Sequence, residues 1–223
     1  MARISRAVVP GYPHHLTQRG VRSIPIFRDD RDRQKYIQLL REQTQRFGVD
    51  ILAWCLMTNH VHFVAIPKNT DSLARAFGET HRLYTRMRNF AEGVRGYLFQ
   101  GRFGSCVLNE RHLLAAVRYI EMNPVRAGIA REAWTYPWSI APFHTGQKEE
   151  DPLVSDRTLF GLVHGWRNFL SDQSPEMDSS IRKSTRTGRP AGDEGFVTLM
   201  ERLISRDLTK GKPGRPSQRR NWK

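Results

Sequence analysis

The chain has little cysteine and no long apolar run, and each shortage excludes a class of protein. Its two cysteines, Cys55 and Cys106, each sit inside an apolar strand-like stretch. No disulfide framework or cysteine zinc site is therefore available, and both read as buried small hydrophobes of a reducing cytosol. Nowhere do ~18 apolar residues run together. The beginning, "MARISRAVVPGYPHH", lacks the apolar stretch of a signal peptide. A soluble, cytoplasmic protein with no membrane partner is expected. Acidic residues are scarce too, 22 against 36 Lys and Arg, a net charge of +14. That excess points to a polyanion, most economically nucleic acid.

The 223 residues suffice for one sizeable domain and an extension; a fold of ~150 residues buries nearly 70% of its unfolded surface without disulfides. Charge divides the chain. Residues 1–144 carry 21 basic and 11 acidic residues, residues 145–181 carry 3 and 7, and residues 182–223 carry 12 and 4. A basic body (1–144) and a basic tail (182–223) thus flank an acidic spacer (145–181). In the tail, "SIRKSTRTGRPAGDEG" and "TKGKPGRPSQRRNWK" have too few apolar residues to fold alone. Between them a helix is expected, with Phe196, Leu199, Leu203 and Ile204 at helical spacing. The spacer's "RTLFGLVHGWRNFL" predicts one helix capped by Asp156.

Within the body, residues 14–20 predict a short strand, and 29–48 an amphipathic helix with Tyr36, Leu39, Leu40 and Phe47 inward and Gly48 closing it. "VDILAWCLM" and "HVHFVAIP" predict a hairpin. A second helix follows from Ser72 towards Asn89, then one or two strands in "GYLFQGRFGSCVL", then a helix capped by Asn109 and ended by Pro124. This order predicts an α+β fold, a mainly antiparallel sheet with helices packed on it.

Candidate chemistry begins with "TNHVHFVAIP". Residues i and i+2 of a strand share a face, so His60 and His62 stand side by side on a segment otherwise built for burial. Taken alone, the pair is more often structural than functional. On the last body helix, Tyr119 and Asn123 are one turn apart and face the same way. Two imidazoles and the Asn123 carbonyl oxygen together form a donor set for a divalent cation, with the Tyr119 hydroxyl beside it. The alternative for Asn123, preceding Pro124, is that it simply ends its helix. Tyr84 is the rival nucleophile, but its i+4 neighbour Arg88 cannot bind a metal. His14 and His15 have no assigned role.

These stretches bear a resemblance. "NHVHFVAIP" resembles the His-hydrophobe-His (HUH) signature, and "YIEMNPVRAGI" resembles the tyrosine segment of REP-associated tyrosine transposases, relatives of the insertion-sequence-200 transposases. "VVPGYPHHLTQRG", "GYLFQGRFGS" and "TGRPAGDEGFV" agree with it, so the likeness covers about residues 5–143 and the Gly-Arg-Pro region. It implies a ferredoxin-like nuclease core and a metal-dependent endonuclease and strand transferase acting on single-stranded or hairpin DNA. His60, His62 and Asn123 would hold Mg2+ or Mn2+, and Tyr119 would form a 5′-phosphotyrosyl intermediate. One nucleophile per chain suits either a homodimer or a monomer working in successive steps. Arg102, Arg118 and Arg126 would serve the phosphate backbone. Arg189 and Arg215, in slim Gly-Arg-Pro elements, would enter a minor groove or belong to a disordered basic tail. Two other functions stay open: a non-cleaving DNA-binding descendant, and a phosphohydrolase in which Tyr119 only packs.

Overall fold

The computed structural model describes residues 6–155, 158–172 and 174–208. Four strands, β1 (His14–Arg19), β2 (Val49–Leu56), β3 (His60–Pro67) and β4 (Gly104–Val107), form one sheet in the order β2-β3-β1-β4. Every neighbouring pair is antiparallel. Helix α1 (Asp30–Phe47) joins β1 to β2, and α2 (Ser72–Glu92) joins β3 to β4. A β-α-β-β-α-β order with the first strand central is the ferredoxin-like arrangement. Helix α3 (Glu110–Glu121) follows β4.

The termini of these elements follow local chemistry. Asp29 caps α1 by accepting from the Asp32 amide, and Asn109 caps α3 by accepting from the His112 amide. Gly48, at φ 64°, closes α1 in the left-handed conformation that glycine adopts freely. One face of the sheet, carrying Leu16 and Phe63, packs under α1 and α2 through Tyr36 and Phe77. The other face carries His15, Thr17 and Arg19 of β1 beside Val64, His62 and His60 of β3. Helix α3 covers only part of that second face.

Pro124 does not end the polypeptide's helical course as expected. Helix α3 stops at Glu121, and Pro124 lies in the first turn of a short helix α4 (Asn123–Arg126). A proline lacking its amide hydrogen is tolerated there, because that donor would have no intrahelical acceptor. The spacer helix also differs from expectation. A 3-10 turn at Thr158–Gly161 and a separate helix α6 (Trp166–Ser171) replace it, α5 (Ala141–His144) having come before. Gly165 breaks the course at φ 74°, a conformation no helix interior permits. Asp156, the expected cap, lies outside the described residues.

The charge boundary at 145 is not a boundary in packing. Val154, Leu159, Trp166, Ile181 and Ala191 join the same core as the sheet. Helix α7 (Pro175–Thr187) buries Ile181 fully and lies against β1, β4 and α3. It approaches so closely because position 104 is glycine: a Cβ there would stand 3.2 Å from Thr17 Cγ2 and 3.4 Å from Thr185. The segment too polar to fold alone thus folds upon the body. Helix α8 (Glu194–Ile204) turns Phe196, Met200 and Ile204 inward, with Met200 buried, while Leu199 and Leu203 are exposed.

Candidate active site

The half-covered face of the sheet holds a cleft of about 470 Å³ bounded by β1, β3, α3 and α7. His60 and His62 stand in it with ring centroids 5.0 Å apart, and the Tyr119 ring lies 5.6 Å from that of His62. A third imidazole, His15, is 6.0 Å from Tyr119. Arg19, Arg102, Arg182 and Arg186 line the cleft, and no carboxylate is among its lining residues. Such a surface attracts a phosphodiester, and the side-chain bases it offers are its imidazoles rather than a carboxylate.

Hydrogen bonds orient both histidines of the pair. His60 Nδ1 donates to Asn59 Oδ1 at 2.7 Å, so its Nε2 carries the lone pair. His62 Nδ1 lies 3.1 Å from His15 Nε2. Burial and the nearby Arg19 push the His60 pKa down to about 4, and burial, then His15 and His60, push His62 well below the usual range. Both are therefore neutral at pH 7, as metal-ligating imidazoles must be. Burial raises the Tyr119 phenol, against the pull of Arg126 and Arg182. The phenol consequently needs electrostatic help to become a nucleophile.

Not every residue expected at the site is there. Asn123 is buried but does not line the cleft, and its amide Nδ2 has no partner. Arg126 stacks its guanidinium 4.4 Å from the Tyr119 ring centre, binds the Tyr119 carbonyl and pairs with Asp178 at 3.1 Å. It braces the tyrosine from behind. Arg118 pairs with Asp172 and covers Phe169, outside the cleft lining. Arg189 lines a separate hollow with Pro190 and Asp193. Arg215 lies outside the described residues. The rival Tyr84 is fully buried and donates its hydroxyl to the Ile26 carbonyl at 2.8 Å.

Sequence reasoning missed His15, Thr185, Arg182 and Arg186. His15 shares the β1 face with Thr17 and Arg19 by strand alternation, a signal the sequence does contain. The α7 residues carried none, because only tertiary packing brings that helix to the cleft.

Metal chemistry at this cleft has two imidazoles to start from. Among the described residues no three His, Cys, Asp or Glu gather to hold a metal. A cation would need an amide oxygen, water or substrate phosphate to complete its shell. The two Nε2 atoms fit the start of such a shell; the buried Asn123 amide, whose N and O ends are interchangeable by a flip, is unpartnered at Nδ2 but stands outside the cleft lining.

Away from the cleft, burial pushes His14 down to about 4 and His81 to about 3. Folded, these rings stay neutral; unfolded, they take up protons below about 6.5. Their stability contribution is intact above pH 6.5 and falls as pH drops towards 4, by roughly 1.4 kcal/mol per pH unit for each ring. The raised carboxyls Glu121 and Asp151 oppose this loss in part. Urea unfolding at pH 7.5 and 5.5 should show a clearly lower midpoint at the acid value. Equal midpoints would contradict the assignment.

The family model for IS200-like transposases matches residues 11–123. No curated protein sequence matches. Among solved structures, a REP-associated tyrosine transposase bound to a REP hairpin superposes with a TM-score of 0.56 at 18% identity, covering 70% of this chain and 92% of that one. A crystal structure from Deinococcus radiodurans R1 gives 0.39 at 18% identity, over 53% of this chain and 95% of that one. Along the described residues no helix is long and apolar enough to cross a membrane. The fold agrees with the first of these structures, and the family model spans half of the chain, so this protein belongs to the family of IS200-like transposases.

Proposed function

We propose that the chain is a metal-dependent endonuclease and strand transferase for single-stranded DNA, cutting beside hairpins and able to rejoin the ends. One observation carries this reading: a tyrosine ring stands 5.6 Å from the second histidine of a strand-borne pair, in an arginine-lined cleft without carboxylates. His60 and His62, with the Asn123 amide oxygen, would hold Mg2+ or Mn2+. When bound, such a cation polarises the scissile phosphate and neutralises developing charge. The cleft arginines draw the backbone in and hold it. Tyr119 Oη attacks phosphorus as its proton leaves to water, and the bond to the 3′ oxygen breaks as that oxygen takes a proton from water. The products are a 5′-phosphotyrosyl strand and a free 3′-hydroxyl, which reverses the step by attacking the same phosphorus. With one such tyrosine per chain, strand exchange takes two chains or two successive rounds.

Labelled single-stranded oligonucleotides, with and without a hairpin, test this in the presence of Mg2+ or Mn2+. The hairpin arm is chosen because the superposed transposase is bound to one. Cutting with a protein-bound product is expected. Binding without cutting would leave a non-cleaving descendant, and release of two protein-free ends would indicate hydrolysis by water.

The basic terminus gives a second test. Residues 209–223, outside the described residues, contain Lys210, Lys212, Arg215, Arg219, Arg220 and Lys223 and no acid. Deleting them should weaken DNA binding and flatten its log–log salt dependence by roughly 0.7 per lost single-strand phosphate contact. Cleavage at saturating DNA should persist. An unchanged slope would show that this segment does not touch DNA.

A further inference from the structure

A chain of hydrogen bonds runs from helix α7 to the histidine pair. The Thr185 hydroxyl donates to the Ile181 carbonyl at 2.8 Å, and His15 Nδ1 lies 2.7 Å from that same hydroxyl oxygen. His15 Nε2 lies 3.1 Å from His62 Nδ1, with the two ring planes inclined by only 4°. Thr185, His15 and His62 are all buried, so water does not compete for these positions.

Proton counting orders the whole chain. A hydroxyl has one hydrogen, and Thr185 gives it to Ile181; its oxygen therefore accepts from His15 Nδ1–H. A neutral imidazole has one N–H, so His15 Nε2 is bare and accepts from His62 Nδ1–H. His62 Nε2 is then the unprotonated nitrogen. The Cys106 thiol, 3.3 Å from Thr185 Oγ1, reaches the remaining lone pair without disturbing this order. The reverse order would turn the threonine hydroxyl away from the Ile181 carbonyl and put a hydrogen on His62 Nε2, where no cation could bind.

We propose that Thr185 and His15 are positioning residues that fix the tautomer of His62 and present its Nε2 as a ligand atom. The inference rests on the metal reading above and adds α7 to the machinery of the site. It also gives a role to one of the two histidines that open β1. Partners of this kind typically alter metal affinity 10- to 100-fold when removed.

The test uses the full chain without DNA. Mn2+ affinity is measured by electron paramagnetic resonance for wild type, His62→Ala, Thr185→Val and Thr185→Ser, alongside 15N NMR of the histidine rings in the metal-free protein. Thr185→Val should bind Mn2+ about 10- to 100-fold more weakly, while Thr185→Ser, which keeps the hydroxyl, should bind like wild type. The metal-free wild type should show His15 and His62 as Nδ1–H tautomers. Wild-type affinity in Thr185→Val, or an Nε2–H on His62, would overturn the relay. Failure of the metal reading is distinct: wild type and His62→Ala would then bind Mn2+ equally, and the NMR tautomers would still decide the relay.

Discussion

Changing Tyr119 to phenylalanine should abolish strand cutting and covalent attachment together while leaving DNA binding in place. The substitution removes one oxygen. The ring keeps its packing against His15 and His62 and under Arg126, so fold and cleft should persist. Loss of a sole nucleophile costs at least ~10⁴-fold in rate when no other group can take its place, and no carboxylate, serine or cysteine lines this cleft. Tyr84→Phe is the control. Its hydroxyl serves the Ile26 carbonyl deep in the core, so the variant should lose roughly 1 kcal/mol of stability and little activity. Single-turnover cleavage on a labelled oligonucleotide reads both variants, and residual cutting by Tyr119→Phe above background would remove Tyr119 from the chemistry.

Chelation should silence the enzyme nearly as completely, and Mg2+ or Mn2+ should restore it. Neutralising charge on a phosphodiester is worth several kcal/mol, or about 10³-fold at 1.36 kcal/mol per decade. The arginines bring positive charge to the substrate, Arg182 standing 6.0 Å from the Tyr119 ring centre, but a guanidinium does not replace the Lewis acidity of a divalent cation. His60→Ala should reproduce chelation with an intact fold, since His60 is half-buried and its ring's hydrogen bond is to its neighbour Asn59. His62→Ala should lose as much activity and also some stability, because it strips His15 Nε2 of its partner in a buried site. Cleavage rates with EDTA, and again after adding back metal, check this. Full activity in EDTA would contradict the metal role.

What could be read in the sequence was what short-range periodicity encodes. Strand alternation put His60 and His62 on one face, and helix capping by Asn109 set the register that turns Tyr119 inward. The hairpin of β2 and β3 and the glycine ending α1 were equally local. Contacts made by packing were not legible. Arg126 reads as a solvated cation until Asp178, from the acidic spacer, is seen to hold it against the Tyr119 ring. Residues 180–191 look too polar to order themselves, and they order because Gly104 leaves room for α7 to bury Ile181. Leu199 and Leu203 satisfied helical spacing, yet the face that found partners was Phe196, Met200 and Ile204. Several faces of a short helix can satisfy the same pattern, and tertiary contact chooses among them.

The most direct test of the account is to identify the atom that carries the DNA. Wild-type protein is incubated with Mg2+ and a hairpin-bearing single strand, denatured, digested with protease and nuclease, and its peptides are sequenced by mass spectrometry. One modified peptide is expected, with a nucleotide joined through its 5′ phosphate to Tyr119, and a released fragment ending in an extendable 3′-hydroxyl. Attachment at any other residue, linkage through a 3′ phosphate, or cleavage with no adduct at all would contradict it.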